Sequence, residues 1–139
     1  MKFKDAIKTL QSQFMSYSFH TLFIKELGEL LRKDLRGKED AFFNCLTTQL
    51  NYIKNLGVLV YMADDHEIIH GFDGHFYSIH LKQKQFNVRF LVHIDALGTP
   101  IFLCAFYERS GHRKGNYDEY TSVLQERFDS MIKGDNADE

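Results

Sequence analysis

Tyr77-Ser78-Ile79-His80-Leu81-Lys82-Gln83-Lys84-Gln85-Phe86-Asn87-Val88-Arg89-Phe90-Leu91-Val92-His93 is the stretch that decides the fold. Tyr77, Ile79 and Leu81 alternate with Ser78 and His80, and Phe86, Val88, Phe90 and Val92 alternate with Asn87, Arg89 and His93. Successive side chains of a strand point to opposite faces, so each run has an apolar side and a polar side. The polar interval from Lys82 to Gln85 closes the two runs into an antiparallel hairpin. His80, Asn87, Arg89 and His93 then fall opposite the apolar residues, on a face left for solvent or a ligand.

Working outward, a turn at Leu97-Gly98-Thr99-Pro100 leads into the apolar run from Ile101 to Tyr107, which suits a strand inside a sheet rather than at its edge. Ile68-Ile69 reads as a further short strand. Upstream the period changes to that of helices. Phe3, Ala6, Ile7, Leu10, Phe14 and Tyr17 form one stripe, and Phe23, Ile24, Leu27, Leu30, Leu31 and Leu35 a second. Arg36-Gly37-Lys38 breaks the second helix. Asp40 is then an N-cap for a third stripe, Phe42, Leu46, Leu50, Ile53 and Leu56, which ends at Gly57. Tyr117, Tyr120, Thr121, Leu124, Phe128 and Met131 give a last helix before a polar tail. The reading is one α+β domain: a helical extension over 1–20, helices over 21–57, an antiparallel sheet over 66–110, a C-terminal helix over 116–133 and a tail over 134–139.

Composition sets bounds on this reading. With 139 residues, 44% of them hydrophobic, there is apolar area for one core and no room for a second domain. No stretch approaches the about 20 consecutive apolar residues of a membrane helix, and the N-terminus lacks a signal peptide's apolar run, so a cytoplasmic protein is expected. Cys45 and Cys104 are far apart and flanked by apolar residues, which reads as two buried thiols. A net charge of −2 excludes a uniformly basic nucleic-acid binder, but the charge is uneven. Lys82 to Lys114 holds six basic residues against two acidic ones, and Asn116 to Glu139 holds two against seven. A phosphate-binding patch beside an acidic segment is the functional reading of that asymmetry; solvated loops are the bland one.

His66-Glu67-Ile68-Ile69-His70 matches H-E-x-x-H, in which two His one helical turn apart bind zinc and the Glu polarises water. The motif works only on a helix. Gly71 and Gly74 follow closely and Asp64-Asp65 precede it, so the segment reads as a loop entering a strand, with no metal expected. A zinc-dependent hydrolase, with His75 or His80 as third ligand, is kept as a lesser alternative.

Three strings carry a family resemblance: Gly74-His75-Phe76-Tyr77-Ser78-Ile79-His80, Phe86-Asn87-Val88-Arg89-Phe90-Leu91, and Ile101-Phe102-Leu103-Cys104-Ala105-Phe106-Tyr107-Glu108-Arg109-Ser110. In order and spacing, over about residues 66 to 132, the chain resembles the phage-derived HigB-like branch of the RelE/ParE toxin superfamily. That resemblance implies a metal-independent mRNA endoribonuclease acting at the ribosome, without a cofactor. A helix-turn-helix antitoxin is its implied partner, alongside mRNA and the ribosome, with no membrane and room for a homodimer. By position Arg89 would be the phosphate clamp, Arg109 would neutralise the transition state and His112 would carry a proton. His80, Lys82, Lys84, Arg113 and Lys114 would contact RNA. The chain departs from the family at His80, where Arg is usual, at Glu108, which replaces a Lys, and at Arg113-Lys114-Gly115, which replaces a Thr-Pro turn. A catalytically silent RelE-like protein that binds RNA or protein through the same sheet is the alternative from another class.

Overall fold

The alternation does build a hairpin, in which Ile79 stands opposite Phe90 and His80 opposite Arg89. The computed structural model describes residues 7–8, 11–12, 16–64, 66–69, 75–109 and 117–133. In chain order the elements are β1 (Ser18–Phe19), α1 (Thr21–Arg32), α2 (Glu39–Leu56), a 3₁₀ segment (Gly57–Met62), β2 (Glu67–Ile68), β3 (Phe76–Gln83), β4 (Phe86–Ile94), β5 (Pro100–Tyr107), a second 3₁₀ segment (Asp118–Tyr120) and α3 (Thr121–Ile132). The strands form one sheet in the order β1-β5-β4-β3-β2. From β2 to β5 the neighbours are antiparallel, while β1 pairs in parallel with β5, Ser18 with Ile101 and Phe19 with Phe102. The expected α+β class holds, with a mixed edge added.

Helices α1 and α2 cover the apolar side of the hairpin, where Phe23 meets Phe90 edge-on at 4.8 Å and Phe42 meets Phe86 at 5.6 Å. Burying each such ring contributes about 1.5–3 kcal/mol. The α1 helix is capped by His20, whose Nδ1 accepts from the Leu22 amide at 3.0 Å. It ends at Arg32, so Leu35 belongs to the turn that follows, where it is buried beside Gly37 at φ 83°. Asp40 does not cap α2. The N-cap is Lys38, and Glu39 and Asp40 fill the first turn, where carboxylates meet the positive end of the helix dipole. Gly57 ends α2 at φ 54°, and a Cβ there would stand 3.2 Å from the Cα of Gly98. The end of α2 and the β4–β5 turn therefore touch through two glycines.

The strand from Pro100 to Tyr107 lies inside the sheet, but β1 is too short to cover its whole edge. Side chains finish the work. Glu26 Oε1 accepts from the Ala105 amide at 3.0 Å, and Arg127 donates to the Leu103 carbonyl at 2.7 Å while holding both Glu26 oxygens at 2.9 Å. An ion pair drawn from α1 and α3 thus satisfies edge groups that a longer strand would have paired.

The opposite face is not left to solvent. Phe76, Leu91, Leu103 and Cys104 make a second apolar cluster there with Ile69, Tyr117 and Leu124, and α3 lies on it. Phe128 stacks on His93 at 4.2 Å and meets Phe76 at 5.4 Å. A β-bulge assists: Leu91 faces Cys104 and Val92 faces Phe102, so Leu103 is the extra residue. The final helix begins at Thr121, with the 3₁₀ segment before it. Of the first expected helix, residues 7–8 and 11–12 are described as helix, whereas Tyr17 lies in irregular backbone and Ser18–Phe19 behind it are strand. Both cysteines are buried. Among the described residues no helix is long and apolar enough to cross a membrane.

Candidate active site

Glu67 begins the short edge strand and His66 stands just before it, and their side chains go to opposite sides. His66 turns under α2, where Nε2 meets the Gln49 amide oxygen at 2.6 Å and Nδ1 accepts from the His80 amide at 2.9 Å. Since Nδ1 is the acceptor, the ring proton sits on Nε2 and is donated to Gln49. The Gln49 amide in turn donates to Asp64 at 3.0 Å, and Asp64 adopts φ 47°. The helix that H-E-x-x-H requires is absent from residues 66–69, and His70 lies outside the described residues. Among the described residues no group of three His, Cys, Asp or Glu is placed to hold a metal.

Glu67 points the other way, into a polar cluster beneath Tyr117. Glu67 Oε2 accepts from the Tyr117 hydroxyl at 2.7 Å and lies 3.0 Å from His80 Nε2. The same phenolic oxygen accepts from Arg89 Nη1 at 2.6 Å and shares a hydrogen bond with Ser78 Oγ at 2.8 Å. A phenol has one proton, and with that proton on Glu67 the Ser78 hydroxyl must be the donor in its pair. Burial raises the Tyr117 hydroxyl above its ordinary value, which keeps it a proton donor. Arg89 lies between two carboxylates, with Nη1 3.9 Å from Glu67 and Nε 3.9 Å from Glu108. Its guanidinium sits 5.9 Å from the Tyr117 ring centroid.

Of the residues picked from the sequence, His80 and Arg89 come together, directly opposite each other in the hairpin. Both are inside the cluster rather than on an open surface, Arg89 being only 8% exposed. Arg109 does not join them. Its side chain is 72% exposed, pairs with Asp34 at 2.9 Å and lies over Tyr107, whose ring packs against the α1–α2 core. Lys82 and Lys84 are exposed at the hairpin turn. His112, Arg113 and Lys114 lie outside the described residues. Sequence reading missed Glu67, Ser78 and Tyr117 as residues of this cluster and took Glu108 as a departure that would weaken phosphate binding unless it acts as the base. Glu67 was absorbed by the zinc motif and Tyr117 by a helical stripe, although a Ser at 78 on a strand face shared with His80 was a visible polar signal.

No family model, curated protein or solved structure matches the chain.

Proposed function

We propose that the chain is a metal-independent endoribonuclease of the toxin type, with Glu67, His80, Arg89 and Tyr117 as its reacting groups. The observation that carries this is the joining of a carboxylate, an imidazole, a guanidinium and a phenol around one oxygen of Glu67. RNA cleavage without a metal needs a base for the 2′-hydroxyl, a cation for the phosphate charge that develops, and an acid for the departing 5′-oxygen. Glu67 takes the 2′ proton, the 2′-oxygen attacks phosphorus, and the bond to the 5′-oxygen breaks as protonated His80 supplies its proton. Arg89 and the Tyr117 hydroxyl meet the non-bridging oxygens. The products are a 2′,3′-cyclic phosphate and a free 5′-hydroxyl. Arg109, to which the resemblance gave the neutralising role, stands apart on Asp34; in this reading Arg89 supplies that charge and the Tyr117 hydroxyl a hydrogen bond. An antitoxin that covers this face and ribosome-bound mRNA as target belong to the same proposal.

The test is cleavage of single-stranded RNA in the presence of a chelator, with end analysis of the products. Cyclic phosphate ends, with the matching DNA left intact, are expected. One observation favours a second reading. Arg89 is buried and flanked by two carboxylates, so a phosphate has to compete with both. In that reading the cluster is structural and the protein binds RNA without cutting it; RNA that is bound and recovered whole selects it.

A further inference from the structure

We propose that the end of the molecule built from the α1–α2 connection, the β3–β4 turn and the exit of β5 is a track for the backbone of single-stranded RNA. The three pieces are far apart in sequence. Lys38 Nζ donates to the Gln85 carbonyl at 2.9 Å, joining the helix connection to the hairpin turn, and Arg109 bonds Asp34 at 2.9 Å, joining the strand exit to the same connection. This end carries Arg32, Lys33, Arg36, Lys38, Lys82, Lys84 and Arg109 against Asp34, Glu39 and Asp40. Asp34 is already paired with Arg109. Arg32, Lys33, Arg36, Lys82 and Lys84 are all exposed, and among the described residues none of them forms an ion pair.

Five unpaired cations on one end of a chain whose net charge is −2 are a local concentration, and repulsion among them is relieved by a polyanion. A protein partner is the weaker fit. Protein interfaces have an apolar centre, whereas the exposed large apolar side chains, Leu22, Leu59, Tyr61, Met62, Leu97 and Ile132, all lie on other segments. A polar cavity of about 300 Å³ between Gly37–Ala41 and Gln85 adds amide and backbone groups for sugar contacts. The track also leads somewhere. Lys82 stands two residues from His80 on the same face of β3 and opposite Asn87, which is two residues from Arg89. A strand held on these cations is delivered to the polar cluster. The inference rests on the ribonuclease reading for its choice of RNA, but its test reads binding alone.

The probe is a labelled oligouridylate, titrated over a range of salt against the intact protein and against the triple variant Arg32→Gln, Lys33→Gln, Arg36→Gln. On a single strand each neutralised phosphate contributes about −0.7 to the slope of log K against log salt, so three lost contacts reduce the slope by about 2. Affinity at 0.1 M salt then falls about a hundredfold, and the two lines converge near 1 M. Lys82→Gln with Lys84→Gln reduces the slope by about 1.4, and Lys54→Gln, at the far end of α2, leaves it unchanged. All these side chains are exposed, and equal melting temperatures confirm folding. A triple variant with the parent's slope and affinity overturns the track, as does an equal drop for Lys54→Gln. Unchanged slopes with RNA still cut would remove the track and leave the ribonuclease; reduced slopes with no cutting would do the reverse.

Discussion

The Tyr117 hydroxyl accepts from Arg89 at 2.6 Å and donates to Glu67 at 2.7 Å, so one phenolic oxygen stands between a buried cation and a partly buried anion. Tyr117→Phe removes that oxygen and keeps the ring in its apolar cluster. Arg89 and Glu67 each lose a buried partner, a loss of about 1–3 kcal/mol. The expected result is a lower urea midpoint with an unchanged m-value. A variant as stable as its parent contradicts the assignment.

Arg89 answers differently from an exposed strand residue, whose replacement would change stability by no more than about 0.5 kcal/mol. Arg89→Ala leaves the buried Glu108 and the partly buried Glu67 without their cation, and the expected destabilisation is about 3–5 kcal/mol. Adding Glu108→Gln returns part of it, because one uncompensated carboxylate is gone. A double-mutant cycle on unfolding free energies measures the coupling, and strict additivity contradicts it.

The Glu26–Arg127 pair makes a separate prediction at the β5 edge. Glu26→Ala strands the Ala105 amide and the Arg127 guanidinium, and Arg127→Ala strands the Leu103 carbonyl and Glu26. Each single change costs about 1–3 kcal/mol, and the double variant loses less than the total of both. Native-state amide exchange should quicken at Ala105 in Glu26→Ala; an unchanged rate shows that the carboxylate does not guard this edge.

Alkaline pH should weaken the fold. Burial pushes the Tyr17 and Tyr120 hydroxyls up to about 12 from 10.0, pushes the Cys104 thiol up to about 12 from 9.0, and raises Tyr117 as well. All four are neutral when protonated, so the unfolded chain ionises first as pH rises. Their stabilising effect is complete below about pH 9 and is lost progressively towards about pH 12. Melting temperature is expected to fall across that window. A constant value to about pH 11 contradicts burial of these groups.

The hairpin was legible because its alternation is strict from Tyr77 to Leu81 and from Phe86 to Phe90, and the two helices over it because their stripes are regular. Ser18–Phe19 was not, since two residues carry no period of their own and the strand exists only through pairing with Ile101 and Phe102. The covered second face was half legible: Phe76, Leu91 and Cys104 already contradicted a purely polar side. What concealed it was the bulge at Leu103, which shifts β5 out of strict alternation. In the candidate site, Arg89 and His80 were found through the period-two rule. Glu67 and Tyr117 were not, because their meeting depends on residues 50 positions apart, and no local pattern encodes that.

The central claim, that the cluster around Glu67 performs acid–base cleavage, is tested most directly by the RNA cleavage rate of Glu67→Gln. This change keeps the shape and a hydrogen-bond acceptor for Tyr117 but cannot take a proton at neutral pH. Folding is checked first by melting temperature. Cleavage by the parent in chelator, slowed about 10²–10⁴-fold in the variant, is the expected result. A parent that leaves RNA whole, or a folded Glu67→Gln protein that cuts as fast as the parent, contradicts the claim.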